Sequence, residues 1–421
     1  MIRFYNARIM TMQEDCRIIE GELWTDGSRI TYIGAGKQEM PAFSQQIDCK
    51  GNLLMPSFKN AHTHSAMTFL RSFAEDEPLQ TWLFEKVFPY EARLTAEDVY
   101  AFDRLAILEY LAAGTTAAFD MYFYPEASAQ AFTEAGMRLV FCGSINGTAK
   151  DVERLYDQYQ RFHHYSPLVD YRLGFHAEYT SDESMHREVA KLAQAEHQPV
   201  FTHISETQKE HEECIERHGG TPAQYLDSLG LWEYGGGGFH CVWFDQADRA
   251  IFAKKKLWFV SCPASNAKLA SGIAPLKECL AEGVQLALGT DGPASNNALD
   301  PFREMYLGTV LQKLKHNDAA AIPAAAMLKA ATVGAARAMG LNDCDVLAEG
   351  KQADLIMIDL EAANMQPAHH IPESLVLSGS RLNVMLTMCA GRILYEDGAY
   401  ETMNAGEILK DCAARIARLT G

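Results

Sequence analysis

The chain has 421 residues, of which 48% are hydrophobic, and a net charge of −18. This length accommodates one large domain with an appendage, and the apolar fraction suffices for a large core. The negative charge argues against nucleic acid or an anionic membrane as a partner, because both repel an acidic surface. The 10 cysteines include no C-x-x-C pair, which excludes a zinc ribbon and a thioredoxin motif.

The cysteines and the N-terminus indicate the cellular compartment. Cys142, Cys241 and Cys262 stand among apolar neighbours, which indicates buried thiols in a reducing environment. The N-terminus carries no apolar segment of the signal-peptide type. No uncharged apolar run approaches the length of about 18 residues that spans a membrane. We therefore expect a cytoplasmic protein with no membrane partner.

Both ends of the chain are rich in predicted strands. Residues 1–55 contain short strands separated by turn signals such as Asp26-Gly27. Residues 346–421 contain a strand at 353–358, a hairpin that turns near Asp397-Gly398, and a C-terminal helical pattern. These two ends predict one small β-sandwich domain formed by both chain ends.

The middle region, residues 56–345, alternates strands and helices. The predicted strands are 53–58, 115–122, 138–145, 171–179, 198–205, 237–243, 257–262 and 285–290, and amphipathic helices are predicted at 96–113, 184–196, 244–254 and 319–339. Eight alternations in about 290 residues predict an α/β fold, a (β/α)8 TIM barrel. The long irregular segment 65–95 is typical of a lid or a substrate wall.

Six polar side chains stand at or just past the ends of apolar runs in this region. They are His62, His64, His203, Glu206, His240 and Asp291. Active sites of such barrels lie where the carboxyl ends of the strands converge. Imidazoles, one carboxylate ligand and a second, free carboxylate together suit a hydrolytic metal site.

The spacing within two pairs supports this interpretation. His62 and His64 are two residues apart, so both rings of an extended segment can reach one ion; a hydrogen-bonded pair near a turn is the alternative. His203 is expected to bind the ion, while Glu206, three residues later, acts as a general base on water. A surface helix pair is the alternative for that spacing. The positions of both pairs at strand ends favour the metal site.

His240 and Asp291 complete the predicted site. A lone histidine on an apolar strand is more often a core residue, but its place on the sixth strand favours a role for His240 in orienting water. Asp291 ends a buried strand, where a carboxylate needs a cation or another partner; a helix cap or an Asx turn is the alternative. The fourth strand offers no lysine to bridge two metals, so we predict one ion, with His176 of that strand facing the substrate.

Several short motifs surround these residues. They read Asn60-Ala61-His62-Thr63-His64, Met67-Thr68-Phe69-Leu70-Arg71, Trp82-Leu83-Phe84, Pro89-Tyr90-Glu91, Pro263-Ala264-Ser265-Asn266, Gly272-Ile273-Ala274-Pro275, Gly289-Thr290-Asp291-Gly292 and Ser295-Asn296-Asn297. With them the chain resembles the amidohydrolase superfamily and, within it, the 5-methylthioadenosine/S-adenosylhomocysteine deaminases. The resemblance covers nearly the whole chain.

The resemblance implies a hydrolytic deaminase of an adenine nucleoside that releases ammonia and an inosine-type product. It implies one divalent ion, Zn²⁺ before Fe²⁺ or Mn²⁺, on His62, His64, His203 and Asp291. The implied catalytic residues are Glu206 as proton shuttle, His240 as the group that polarises water, and Asp291. The implied substrate-binding residues are Glu91 for the ribose hydroxyls, His176 for the nucleoside, Trp82 in a hydrophobic lid, and Arg154 as the match to a family arginine. A homo-oligomer, dimer or tetramer, is also implied.

The chain departs from the family pattern near the distal group of the substrate. Relatives usually end the third strand with an arginine that binds the homocysteine carboxylate, whereas Cys142 takes that position here. Ser261 and Trp243 stand where many relatives have histidine. We therefore expect S-adenosylhomocysteine to be a poorer substrate than 5′-methylthioadenosine or adenosine.

Other functions remain open from sequence. A deaminase or chlorohydrolase of another heteroaromatic ring, such as guanine or an s-triazine, would use the same metal site, although Glu91 favours a ribose. A hydrolase of cyclic amides usually carries the missing bridging lysine. A structural scaffold would have lost ligands that this chain retains. The sequence determines neither the exact substrate, the metal nor the oligomeric state.

Overall fold

The computed structural model describes residues 1–77 and 81–421, and the strands of this part form two sheets. The strands are β1 (Ile2–Met10), β2 (Ile18–Asp26), β3 (Arg29–Gly34), β4 (Gln45–Asp48), β5 (Leu53–Pro56), β6 (Phe58–Thr63), β7 (Thr115–Asp120), β8 (Arg138–Cys142), β9 (Val169–Ala177), β10 (Val200–Ile204), β11 (Gly236–His240), β12 (Trp258–Ser261), β13 (Gln285–Leu288), β14 (Leu355–Ile358), β15 (Val384–Cys389), β16 (Arg392–Glu396) and β17 (Ala399–Tyr400).

Helices connect most of these strands. The α-helices are α1 (Phe88–Glu91), α2 (Ala96–Ala112), α3 (Pro125–Ala135), α4 (Val152–Phe162), α5 (Glu183–Glu196), α6 (Gln208–His218), α7 (Pro222–Ser228), α8 (Gln246–Lys255), α9 (Pro263–Lys268), α10 (Leu276–Ala281), α11 (Pro301–His316), α12 (Ala324–Lys329), α13 (Ala335–Ala338), α14 (Ile371–Leu377) and α15 (Ala405–Thr420). Shorter 3-10 turns lie at Ser65–Leu70, Ala149–Asp151, Glu178–Thr180, Ala363–Met365 and Arg381–Asn383, and π-helical turns at Trp82–Val87 and Ala330–Gly334. No helix of the described residues is long and apolar enough to cross a bilayer.

Strands β6 to β13 follow one another in sequence order as a parallel eight-stranded sheet. Most of their residues are buried, as expected for a parallel sheet covered by helices. The two edge strands meet at a seam, where Asn60 exchanges hydrogen bonds of 2.7 and 2.9 Å with Thr290. Asp291 N also donates to the His62 carbonyl at 3.0 Å. These bonds bring the first and last barrel strands together.

The seam leaves no room for a side chain at Gly289. A Cβ atom there would lie 2.6 Å from the backbone nitrogen of His62, which is far inside van der Waals contact. The glycine before Thr290 therefore allows β13 to approach β6 closely, as glycines do where two backbones meet.

The second sheet joins both ends of the chain. Strand β5 pairs with β1 from the N-terminal part and with β14 from the C-terminal part, and the order is β17-β16-β15-β14-β5-β1-β2-β3. The predicted fold class, a (β/α)8 barrel with a β domain formed by both chain ends, is confirmed. The proposed domain boundaries at 55/56 and 345/346 stay predictions.

The first barrel strand begins later than the sequence predicted. The apolar run 53–58 belongs to two strands, because β5 joins the second sheet and β6 opens the barrel at Phe58. Both strands are fully buried, so the sequence pattern does not indicate where β5 ends and β6 begins. His62 consequently lies within β6, and His64 comes directly after it.

A buried carboxylate connects the second sheet to the barrel. Asp354, next to β14, accepts two hydrogen bonds of 2.9 Å from Arg138 of β8. It also accepts from the Thr116 hydroxyl at 3.1 Å and from Ala390 N at 2.8 Å. Burial disfavours its charge, but Arg138 and Lys59 outweigh that cost and hold the pKa of Asp354 far below its usual value.

Replacing Asp354 by Asn should lower the free energy of unfolding at pH 7 by about 3–5 kcal/mol, because Arg138 and Lys59 lose their buried counter-charge. Urea unfolding measures the loss. Because the folded-state pKa is lowered, the contribution is complete above the unfolded pKa of about 3.9 and disappears as the pH falls through the folded value. The difference between wild type and Asp354→Asn should therefore narrow below about pH 4.

Asp343→Asn is the matched control for this change. Asp343 pairs with Arg29 at 2.9 Å on the surface, where its side chain is 57% exposed. Exposed ion pairs contribute at most about 1 kcal/mol. Equal losses in the two variants would contradict the role given to Asp354.

Candidate active site

Side chains from the carboxyl ends of the barrel strands line one cavity with about 750 Å³ of empty space. Its polar lining includes His64, His203, Glu206, His240 and Asp291, and its apolar lining includes Met67, Trp82, Leu83, Phe88, Phe123 and Leu269. The structure therefore brings together predicted residues from strands that are far apart in sequence.

The candidate metal ligands belong to two overlapping groups of side chains that share His62. Ring nitrogens of His62, His203 and His240 lie within 4.8 Å of one another, and so do ligand atoms of His62, His64 and Asp291. Asp291 Oδ1 is 3.3 Å from His64 Nε2 and 3.6 Å from His62 Nε2. Ligands about 2.1 Å from a tetrahedral ion stand about 3.4 Å apart. The distances from Asp291 to His62 and His64 fit a zinc-sized cation.

Backbone carbonyls orient two of the histidines. His64 Nδ1 donates to the Met121 carbonyl at 2.7 Å, and His203 Nδ1 donates to the His176 carbonyl at 2.6 Å. A carbonyl only accepts, so each Nδ1 carries a proton and each Nε2 is the available ligand atom. Burial lowers the pKa of His203 well below 6.5, which keeps its ring neutral.

His64 differs from His203 in its charge. Burial lowers its pKa, but the hydrogen bond and charge of Asp291 outweigh burial and raise the pKa of His64 to about 9. A cation that binds at Nε2 therefore has to displace a proton.

His62 is the clearest sign of a missing partner. Its ring stacks on Phe239 at a centroid distance of 3.8 Å. Both ring nitrogens are buried and have no hydrogen-bond partner among the described residues. An unpaired buried polar group costs about 1–3 kcal/mol, so a ligand for His62 is expected. The residues present fit a divalent metal ion.

Asp291 is held by several donors. Its Oδ1 accepts from Gly292 N at 2.7 Å, and its Oδ2 accepts from the hydroxyls of Ser265 at 2.6 Å and Ser295 at 2.7 Å. Burial opposes its charge, but a hydrogen bond with His64 and the positive potential of the histidines outweigh burial and hold the pKa of Asp291 well below 3.8. The group remains a carboxylate.

Glu206 lies close to the histidines, but it does not belong to either group of side chains that could share one ion. Its Oε2 lies 3.9 Å from His240 Nε2, and its Oε1 accepts from the Ser271 hydroxyl at 3.2 Å. Burial is the main cause that raises the pKa of Glu206. His240 Nδ1 is bonded to Asn266 Oδ1 at 2.8 Å. This arrangement suits proton transfer by Glu206 and hydrogen bonding by His240.

The backbone turns sharply where these strands end. Ser205, His240 and Asp291 adopt left-handed φ angles of 47°, 69° and 60°. Such conformations cost about 1–3 kcal/mol for residues other than glycine, and they cluster at functional sites.

Sequence reasoning missed Glu210. Its carboxylate accepts from the backbone nitrogens of Ser205 at 2.7 Å and Glu206 at 2.8 Å, and it thereby fixes the turn that carries Glu206. Burial, with Glu206 as the second cause, raises the pKa of Glu210 to about 7. The pattern Glu206-x-x-x-Glu210 was the available signal, but in a helix it is typical of an exposed surface.

The predicted substrate-binding residues Glu91, His176 and Trp82 all line the cavity. Glu91 Oε1 and the Tyr122 hydroxyl are buried and lack partners among the described residues. Burial raises the pKa of Glu91, although Tyr122 and His64 act in the opposite direction. Burial lowers the pKa of His176 to about 4, so its ring is neutral.

The structure does not bring Arg154 to this cavity. Arg154 lies on α4 with its side chain 59% exposed, and its guanidinium is 3.7 Å from the Asp151 carboxylate. It is not among the residues that line the cavity.

Cys142 is also not a lining residue. Its Sγ packs against Gly174, where a Cβ atom would lie only 2.6 Å away. Ser144 and Asn146, just beyond β8, are the residues that reach the cavity there. The sequence-based placement of Cys142 at the distal end of the substrate is therefore corrected, because the chain after β8 turns Ser144 and Asn146 inward. Both are uncharged, so the arginine is still missing.

Residues 53–394 match the family model described as "Amidohydrolase family". The chain belongs to the amidohydrolase family. It is 36% identical, over 99% of its length and 98% of the relative's, to a protein named 5-methylthioadenosine/S-adenosylhomocysteine deaminase from Pelotomaculum thermopropionicum. It is 37% identical, over 89% of both, to a 5′-deoxyadenosine deaminase from Methanothermobacter thermautotrophicus.

Among solved amidohydrolase-like structures, an adenosine deaminase from Xanthomonas campestris with bound zinc superposes with a TM-score of 0.94. It is 30% identical, and the match covers 100% of this chain and 98% of that chain. The predicted resemblance to the amidohydrolase superfamily and its deaminase branch is confirmed.

Replacing His62 by Ala should lower the affinity for Zn²⁺ by more than the 10–100-fold typical of residues that only support ligands, because the unpaired imidazole is lost. Competition with a chelator measures the affinity. His186→Ala is the matched control: His186 is equally buried, but it bonds to the Tyr225 hydroxyl away from the site. A similar zinc affinity in both variants would contradict the role of His62.

Proposed function

We propose that this chain is a metal-dependent hydrolase that deaminates an adenine nucleoside, with 5′-methylthioadenosine and adenosine as preferred substrates. The observation that carries the proposal is the buried carboxyl group of Glu206 beside His240 and the candidate ligands. The deaminase names of the relatives support it.

The proposed metal is one Zn²⁺ ion, with Fe²⁺ or Mn²⁺ as alternatives, held by His62, His64, His203 and Asp291. Three imidazoles and one carboxylate are typical zinc ligands. When bound, the ion supplies Lewis-acid chemistry and lowers the pKa of an attached water toward neutrality. The zinc bound to the adenosine deaminase neighbour supports this choice.

Glu206 is the proposed proton carrier. Its carboxylate takes a proton from water and gives it to the ring nitrogen beside the carbon that bears the amino group. The water oxygen bonds to that carbon, and its second proton passes through Glu206 or Asp291 to the amino nitrogen. The bond between that carbon and the amino nitrogen then breaks, and ammonia leaves. His240 Nε2 hydrogen-bonds the attacking oxygen. The nucleoside is thereby converted into its inosine-type product.

The cavity lining favours an apolar distal group. Glu91 is proposed to bind the ribose hydroxyls and His176 to contact the nucleoside. Trp82, Leu83 and Phe88 supply apolar surface for a methylthio group. Among the described residues, neither lysine nor arginine lines the cavity. A homocysteine carboxylate would therefore enter without a cationic partner.

A homo-oligomer is proposed as the working form, with a small-molecule substrate and no nucleic-acid or membrane partner. The ring of Phe84 lies 5.4 Å from that of the lining residue Phe88, and Phe84 is 53% exposed. A neighbouring subunit that covers this ring would complete the hydrophobic lid. The proposed location is cytoplasmic, for which the buried free cysteines are the support.

Replacing Glu206 by Gln should lower kcat for 5′-methylthioadenosine by at least about 100-fold and leave zinc content unchanged, because the proton carrier is lost while the ligands remain. Ammonia release and the absorbance change of the adenine ring measure turnover. Burial raises the pKa of Glu206, so wild-type kcat/KM should fall with decreasing pH at an acid limb above 4.5. The exposed Glu233→Gln is the control. Near-normal turnover by Glu206→Gln would refute the assignment.

Substrate preference gives a second test. We expect kcat/KM for 5′-methylthioadenosine to exceed that for S-adenosylhomocysteine by about 10–100-fold, since a missing charge-assisted hydrogen bond costs about 1.5–3 kcal/mol. Asn146→Arg should narrow this ratio, whereas the neutral Asn146→Gln should not. A higher kcat/KM for S-adenosylhomocysteine in the wild type would contradict the expectation.

The same assay tests whether the enzyme acts on another heteroaromatic ring instead of a nucleoside. Guanine and an s-triazine are included beside the nucleosides. Activity on either of them, with none on any nucleoside, would retain the metal site and discard the ribose role of Glu91.

A further inference from the structure

Three side chains of one short segment each form a hydrogen bond with a different group of the site. The segment, residues 263–271, follows β12 and begins with α9. The bonds are Ser265 Oγ to Asp291 Oδ2 at 2.6 Å, His240 Nδ1 to Asn266 Oδ1 at 2.8 Å, and Ser271 Oγ to Glu206 Oε1 at 3.2 Å. All three residues are at least 96% buried, so water does not compete for these bonds.

Each hydrogen bond engages one polar atom of its partner and thereby determines which other atom faces the site. Ser265, together with Ser295, donates to Oδ2 of Asp291, so Oδ1 is the oxygen that faces the histidines. Ser271 occupies Oε1 of Glu206, so Oε2 faces His240. In both cases a serine hydroxyl donates a hydrogen bond to one carboxylate oxygen, and the other oxygen faces the histidines of the site.

Asn266 has the same effect on His240. Its side-chain oxygen accepts the proton on Nδ1, which fixes the orientation of the ring and turns Nε2 toward Glu206 at 3.9 Å. A partner on one ring nitrogen sets the role of the other.

The segment is anchored at both ends. Near its start, Ala264 N donates to the buried carboxyl group of Glu304 at 3.0 Å, and Glu304 also accepts from Asn296 at 2.6 Å. At its end, the Trp243 indole donates to the Ser271 carbonyl at 2.9 Å. These contacts restrict the positions from which the segment's side chains act.

We propose that the segment 263–271 is a positioning element of this site, in which Ser265 positions Asp291, Asn266 positions His240, and Ser271 positions Glu206. The proposal rests on the proposed function for the roles of Glu206 and His240. The three residues have separable effects. Ser265 supports a candidate metal ligand, whereas Asn266 and Ser271 support groups that act on water and protons.

The test compares Ser265→Ala, Asn266→Ala and Ser271→Ala in the full-length protein. Zn²⁺ affinity is measured by chelator competition, and kcat and KM are measured with 5′-methylthioadenosine. Ser265→Ala should weaken Zn²⁺ binding by about 10–100-fold. Asn266→Ala and Ser271→Ala should keep the zinc affinity and lower kcat by about 10–100-fold with little change in KM. Ser271→Thr keeps the hydroxyl and should recover most of kcat.

Ser57→Ala is the matched control. The Ser57 hydroxyl is also buried and hydrogen-bonded, at 2.7 Å from both Thr116 Oγ1 and Lys59 Nζ, but it lies beside Asp354 and outside the cavity. Its loss should lower the melting temperature without changing kcat or zinc affinity. A general loss of stability would affect the Ser57 and Ser271 variants alike, so equal kcat losses would overturn the proposal.

Two further outcomes would overturn it. One is a kcat of Ser271→Ala within twofold of wild type. The other is an unchanged zinc affinity in Ser265→Ala. This second measurement uses Zn²⁺ alone, so it decides the proposal even if the wild type deaminates no nucleoside, an outcome that would refute only the proposed function.

Discussion

The seam between β6 and β13 is the constraint on which the candidate site depends. Asn60 and Thr290 are 230 positions apart in sequence, yet they exchange two hydrogen bonds. Closing the barrel at this seam places His62 and His64 beside Asp291. Without closure, the first and last strands would lie at opposite edges of the sheet, and their side chains would not share a ligand. The proposed metal binding would therefore be coupled to barrel closure, since an ion held across the seam would stabilise only the closed form.

Burial then decides the chemical state of the groups that the seam brings together. It keeps His203 neutral, and it raises the pKa of Glu206 above its usual value. Asp291 is the exception, because hydrogen bonds and neighbouring histidines preserve its charge against burial. One low-dielectric pocket thus contains one carboxyl group with a lowered pKa, Asp291, and one with a raised pKa, Glu206. Such a difference separates a metal ligand from a proton carrier.

The supporting hydrogen bonds come from residues whose sequence positions give no hint of their partners. Glu210 holds the backbone around Glu206, while the segment 263–271 reaches three groups at or just past the ends of three other strands. The bonds are buried, so they restrain the site more than solvent-exposed contacts would. The other lining residues include Met67, Trp82, Leu83 and Phe88, which give the cavity an apolar wall.

The sequence by itself determined the residue types of the site and the type of barrel. Histidines and acids at the ends of apolar runs are local signals, and their places on strands predicted one cluster before any coordinates. The strand boundary at Ser57 was not determined, because two buried strands in succession form one continuous apolar run.

Only the tertiary structure decided which side chains face the cavity. It placed Ser144 and Asn146 where the sequence suggested Cys142, and it left Arg154 on the surface. It also revealed Glu210 and Ser271 as partners of the Glu206 region. The physical reason is that side chains alternate between the two faces of a strand, so the sequence pattern predicts their directions within the strand. Beyond the strand end, the direction of a side chain depends on the turn and on contacts with elements that are distant in the chain.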